Sequence, residues 1–160
     1  MNEMKSRILQ LESEIIDMIK TLSKIESIYN SYNDRLSDDT DLRNAVMLTD
    51  IFVNYYTCIE TIFFRISTFF ENNLSKDRWH SDLLKKMRIK MNGIREKVIT
   101  DQTFSILDEF RRFRHFKRYY YDYSYDREKL NYLQKKFDQL VSNIHNDINN
   151  FIEFLRSLND

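Results

Sequence analysis

The chain holds no proline and a single glycine, Gly93, in 160 residues, and this scarcity bounds the fold more tightly than any motif. Tight turns and abrupt chain breaks draw on those two residue types, so a chain nearly without them is confined to long regular elements with few connections. Its apolar residues recur at helical spacing throughout. The sequence therefore predicts an all-α fold: an antiparallel up-and-down four-helix bundle with a short additional helix. The length fits one domain spanning residues 1–160, with room for a real core.

The first helix is predicted over residues 2–33, where Met4, Ile8, Leu11, Ile15, Met18, Leu22 and Ile25 alternate steps of four and three. The polar stretch Asn33 to Asp41 breaks the pattern and offers good N-caps. A second helix then runs to about Glu71, with Leu48, Phe52, Tyr55, Ile59, Ile62, Ile66 and Phe69 repeating the lengthwise seam, so the two should pair antiparallel. Within it, Val46 to Phe70 is strongly apolar but carries a polar stripe every three or four residues, which fits a central bundle helix and not a membrane span. Asn72 to Lys76 reads as the next connection. A short helix is predicted from Trp79 to Asn92, turning Leu83, Leu84, Met87 and Met91 inward and stopping near Gly93. Thr100 and Asp101 cap a fourth helix with Phe104, Leu107, Phe110 and Phe113 inside. The last helix starts near Asp126, with an apolar face from Leu130 through Leu155.

Twenty-five basic residues balance 25 acidic ones, so any attraction to nucleic acid has to come from a local patch. The lone cysteine, Cys58, excludes an intrachain disulfide and reads as a small core residue. The N-terminus lacks the continuous apolar run of a signal peptide, which points to a cytoplasmic location.

The local patch is the run Glu109 to Tyr121, where Arg111, Arg112, Arg114, Lys117 and Arg118 surround His115 with no acid inside their own run. On a helix Arg111, His115, Arg118 and Asp122 share one stripe, and Arg114, Arg118 and Tyr121 an adjoining one. RNA carries its own nucleophile, the 2′-OH. Its cleavage needs a base, a proton donor for the leaving oxygen, and charge to stabilise the phosphorane. An imidazole among guanidinium groups can supply these, and the lack of a His/Cys or carboxylate ligand cluster points to chemistry without metal or other cofactor. On residues alone, a solvated helix face or a nonspecific phosphate patch is the preferred account of the run, and a lone histidine is more often structural. Tyr119, Tyr120, Tyr121, Tyr123 and Tyr125 either stack on bases or close the end of the bundle, and packing is the better account for most of them.

The segment Leu107-Asp-Glu-Phe-Arg-Arg-Phe-Arg-His115, followed by Arg118 and Tyr121, resembles the signature of HepT-like toxins of the HEPN superfamily. Tyr56-Thr-Cys-Ile-Glu60 and the stretch Trp79 to Met87 are similar to that group's second-helix and third-helix patterns, and the resemblance extends from about residue 45 to the C-terminus. It implies a metal-independent RNA endonuclease acting as the toxin of a toxin-antitoxin pair, with a composite site at a homodimer cleft. The partner it implies is a minimal nucleotidyltransferase antitoxin, which silences some relatives by adenylylating a tyrosine. Carried over, His115 transfers protons and Arg111, Arg114 and Arg118 bind phosphate, with Glu60 and Tyr121 in support. Glu60 also reads as a buried counter-ion for an arginine, Trp79 and His80 as packing and capping residues, and His145 as an ordinary helix position.

Two departures stand out. Phe110 occupies the position five before His115, and Arg111 is four before it, closer than the superfamily spacing. The modified tyrosine two after histidine is replaced by Lys117, leaving Tyr119, Tyr120 and Tyr121 as candidate acceptors. A noncatalytic HEPN module that binds RNA, nucleotide or a protein is the alternative, with a purely structural oligomerising bundle ranked last.

Overall fold

A computed structural model describes residues 2–33, 41–71 and 77–160 of the chain. These form five helices, α1 (Glu3–Asn33), α2 (Leu42–Phe70), α3 (Trp79–Met87), α4 (Asp101–Lys117) and α5 (Arg127–Ser157), and no strand is present among the described residues. Three helices start where a short polar side chain accepts from an otherwise unpaired amide: Asp41 from Arg43 N at 2.9 Å, Thr100 from Thr103 N at 3.2 Å, and Asp126 from Lys129 N at 3.1 Å. The breaks predicted at Asn33 to Asp41 and Asn72 to Lys76 otherwise lie outside the described residues, save for Asn33, which ends α1.

α1 and α2 pack antiparallel. Arg7 lies over the Phe69 ring at 5.3 Å, Arg65 faces Glu14 at 3.9 Å, and Tyr55 donates to Glu26 at 3.4 Å, so one sequence rises as the other falls. α5 runs against α1 through Arg156–Glu12 at 2.7 Å and Tyr29–Asp138 at 3.1 Å, and against α4 through Thr100–Asp147 at 3.1 Å and Tyr132–Glu109 at 2.8 Å. Aromatic rings fill the centre. Phe52 meets Phe110 at 5.3 Å and Phe137 at 5.4 Å, and Tyr55 meets Phe137 at 4.8 Å, all of them buried. Each such ring contributes about 1.5–3 kcal/mol by leaving water, so this cluster fixes α4 against α2 and α5. Cys58 is buried beside α1, and burial pushes its thiol up to about 11.

The helices depart from the predicted ones in two places. Met4 is exposed, so the buried seam of α1 begins at Ile8. α3 ends at Met87, five residues early, because the following chain folds back onto its last turn: the Met87 carbonyl accepts from Val98 N at 2.8 Å and Ile99 N at 3.1 Å. Arg95, buried beside Glu71 in an ion pair, donates to the carbonyls of Lys86, Ile89 and Glu96, each at 3.0 Å. The bonds to Met87 O and Lys86 O satisfy helix-end oxygens that continued helix would have used, and those to Ile89 O and Glu96 O fix the returning segment. Gly93, at φ +76°, turns the reversal between Met91 and Arg95 and does not stop a helix. Met91 is accordingly only half-buried. No helix among the described residues is long and apolar enough to cross a membrane.

Candidate functional site

Two core residues, Phe110 and Phe113, anchor the helical basic run and turn the intervening Arg111 and Arg112 outward, while Phe116 is exposed. α4 stops at Lys117, with Arg118 as its cap, and Tyr119 N and Tyr120 N bond back to Phe116 O and Lys117 O at 2.9 Å. Tyr121 and Asp122 therefore leave the two helical stripes on which the periodicity placed them.

The three arginines predicted to converge on a phosphate have separate surroundings. Arg111 is held by Asp108, one turn back, at 2.8 Å, and the same carboxylate lies 3.4 Å from Arg112. Arg114 reaches across to α2, where both its terminal nitrogens bond Glu60, at 3.0 and 2.8 Å. It also donates to Thr57 Oγ1 at 3.2 Å and lies 4.6 Å over the Tyr56 ring. Glu60 is buried, and its Oε2 sits 2.7 Å from Nδ1 of His80. Arg114 Nη2 also lies 3.2 Å from that nitrogen. One ring nitrogen cannot both donate and accept. The shorter contact to a carboxylate requires the proton on Nδ1, so His80 donates to Glu60 and merely adjoins Arg114. Burial, then the Glu60 carboxylate, pushes the Tyr56 hydroxyl far above its ordinary value. The result is a tie joining α2, α3 and α4.

His115 and Arg118 are exposed and stay together. Arg118 Nη2 donates to His115 Nε2 at 3.1 Å and to Tyr119 Oη at 3.0 Å, its guanidinium 5.0 Å over the Tyr119 ring. A guanidinium only donates, so Nε2 of His115 is an acceptor and the ring proton sits on Nδ1. No carboxylate among the described residues pairs with Arg118 or Lys117. Tyr120 packs on Phe113 and Tyr125 at 6.3 and 5.2 Å, and burial raises its hydroxyl. Tyr121 is 83% exposed.

His80 and Asp108 are the participants that sequence reasoning missed. Asp108 was visible as the residue three before Arg111 and four before Arg112. His80 had no local signal: its ring stacks on Trp79, with centroids 3.5 Å apart, and meets Glu60 only because α3 docks on α2. His145, read as an ordinary helix position, bonds the buried Glu26 of α1 at 2.5 and 2.9 Å, and that hydrogen bond raises its pKa. Among the described residues, no three His, Cys, Asp or Glu side chains gather in a way that would hold a metal ion.

An all-helical protein with an imidazole and a guanidinium presented at the end of one helix, behind which a buried carboxylate ties three helices, is a helical module built around a basic signature. Residues 47–155 match the family described as HepT-like protein, more than half of the chain, and the chain belongs to that HEPN-type family. The match begins within α2, leaving α1 outside it. No curated protein and no solved structure matches the chain.

Proposed function

We propose that this protein is the toxin of a toxin-antitoxin pair, a ribonuclease that cleaves RNA without metal through His115 and Arg118. The observation that carries the reading is the bond between these two exposed side chains, which leaves Nε2 of His115 a proton acceptor beside an unneutralised cation. In this arrangement the 2′-OH loses its proton to the imidazole as its oxygen attacks phosphorus, and the guanidinium stabilises the charge that builds on the phosphorane. A leaving 5′-oxygen needs a proton in turn. One chain offers a single imidazole at this place, so the reading includes a homodimer in which the second copy's basic helix closes the site. Family membership supports it.

The same reading takes the chain as one cytoplasmic domain in an up-and-down bundle, which the opposed pairings of α1, α2, α4 and α5 favour. Its antitoxin is a minimal nucleotidyltransferase, and exposure favours Tyr121 over Tyr119 and Tyr120 as the adenylylated residue. Arg111 and Arg114 act here by holding α4, since Asp108 and Glu60 engage their charges. Purified chain incubated with cellular RNA in chelator tests the proposal: cleavage should appear and be lost in His115→Ala, and cleavage that persists unchanged in that variant defeats it. A second reading, RNA binding without turnover, is favoured by the carboxylate partners of Arg111 and Arg114, whereas Arg118 has none among the described residues.

A further inference from the structure

Beside His115 a groove opens between the first turns of α2 and the segment that follows α4. Its volume is about 380 Å³, inside the range of about 300–1,000 Å³ found for small-ligand sites. Arg118 lines the groove and also bonds His115, so groove and candidate site share a side chain. Lys117 and Arg118 make one end cationic, and Asp50 presents a carboxylate from α2. Aromatic rings form much of the rest.

These tyrosines do not all close the bundle. Tyr120 and Tyr125 pack against each other, and Tyr120 against Phe113, which ties this part of the groove to the core. Tyr121 and Tyr123 are 83% and 59% exposed, so both rings are accessible to a ligand in the groove. Tyr123 also adopts φ +61°, a left-handed conformation that a bulky side chain takes only where its surroundings impose it. Here the Tyr123 N–H bonds Tyr120 O at 2.9 Å and Ser124 N bonds Asp122 Oδ1 at 3.1 Å, a turn that holds the ring at the groove. Thr49 contributes to the lining from α2, and its buried hydroxyl has no partner, which is rare for a buried polar atom. An apolar hollow of about 390 Å³ adjoins the groove through Val46 and Tyr123.

We infer that this groove holds one unpaired nucleotide of a single-stranded RNA, its base stacked on Tyr121 and Tyr123 and its phosphate at Lys117 and Arg118. The inference rests on the ribonuclease reading and adds a specificity to it: the strand must be single, because a base still stacked inside a duplex cannot enter. Asp50 gives the groove an acceptor for the amino and imino hydrogens of a base edge or for a ribose hydroxyl.

The test uses the full chain and a short mixed-sequence strand with every 2′-OH methylated, which blocks cleavage, followed by fluorescence anisotropy. Tyr123→Gly, which removes the ring and suits the left-handed backbone, should weaken binding on the order of tenfold, while Tyr123→Phe retains it. The same strand in a duplex should bind at least as weakly as that variant. Unchanged affinity in Tyr123→Gly, or equal binding of duplex and single strand, overturns the groove. Should Tyr123→Gly fail to fold, Tyr121→Ala against Tyr121→Phe decides between the same two outcomes. His115→Ala separates the two proposals. Cleavage of unmodified RNA that survives it sinks the nuclease while ring-dependent binding keeps the groove, and His115-dependent cleavage with ring-independent binding does the reverse.

Discussion

Arg114 and Arg118 are one helical turn apart on the same basic run, and tertiary packing gives them different chemistry. Arg114 faces α2, where buried Glu60 takes both its terminal nitrogens and His80 shares one of the two carboxylate oxygens. Arg118 caps α4 at the surface, where it finds an imidazole and a phenol and no acid among the described residues. A cation whose charge is already matched in a half-buried cluster holds helices together; one without a counter-ion remains available to an incoming phosphate. A basic run is thus a set of individual charges, and which of them are available depends on the carboxylates that other helices bring.

The largest effect should fall on the exposed member. His115→Ala should lower RNA cleavage by about 10²–10⁴, the usual yield of a positioned acid-base group, and leave the denaturation midpoint where it was. A cleavage rate that instead tracks lost stability would erase the distinction between the two clusters. Next comes Glu60→Ala, which strands Arg114 without its counter-ion and should destabilise the fold by about 3–5 kcal/mol in chemical denaturation. Arg118→Ala should leave that curve unmoved, and equal losses in the two variants would break the comparison.

A smaller effect tests the analogous carboxylate–imidazole pair, Glu26 with His145. The raised pKa of His145 means that the folded state binds its proton more tightly than the unfolded chain, so the stabilisation is full below the ordinary value of 6.5 and fades as pH climbs through the higher folded value. Thermal unfolding measured from below 6.5 to well above it should show this decline, and His145→Gln should flatten it. The smallest stability change belongs to Asp108→Ala, whose half-buried pairs within one helix contribute about 1 kcal/mol. By releasing Arg111 and Arg112 it should tighten single-strand binding and steepen its salt dependence, read as the slope of log affinity against log salt.

Helix positions were legible in the sequence wherever local chemistry decides them. Thr100 and Asp126 cap as their types suggest, and the seams of α2, up to Ile66, and of α5 are buried as their spacing requires. The end of α3 was not legible, because residues from beyond the turn take its last carbonyls, Arg95 that of Lys86 and the Val98 and Ile99 amides that of Met87, interactions with no periodic trace. The candidate site divides in the same way. Proximity of His115 to Arg118 follows from a spacing of three on a helix, whereas the diversion of Arg114 follows from Glu60, 54 residues earlier in the chain.

The residues by themselves determined that the chain is helical, where most of its helices begin, and that one helix ends in cations around a histidine, because backbone hydrogen bonding and side-chain spacing act over a few neighbouring positions. Only the tertiary structure decided which of those cations are neutralised, that His80 joins Glu60, and that the tyrosines after α4 line a groove instead of all packing inward. Those outcomes depend on side chains from separate helices arriving at one place, and the docking of rigid helices, which no local period encodes, controls that arrival.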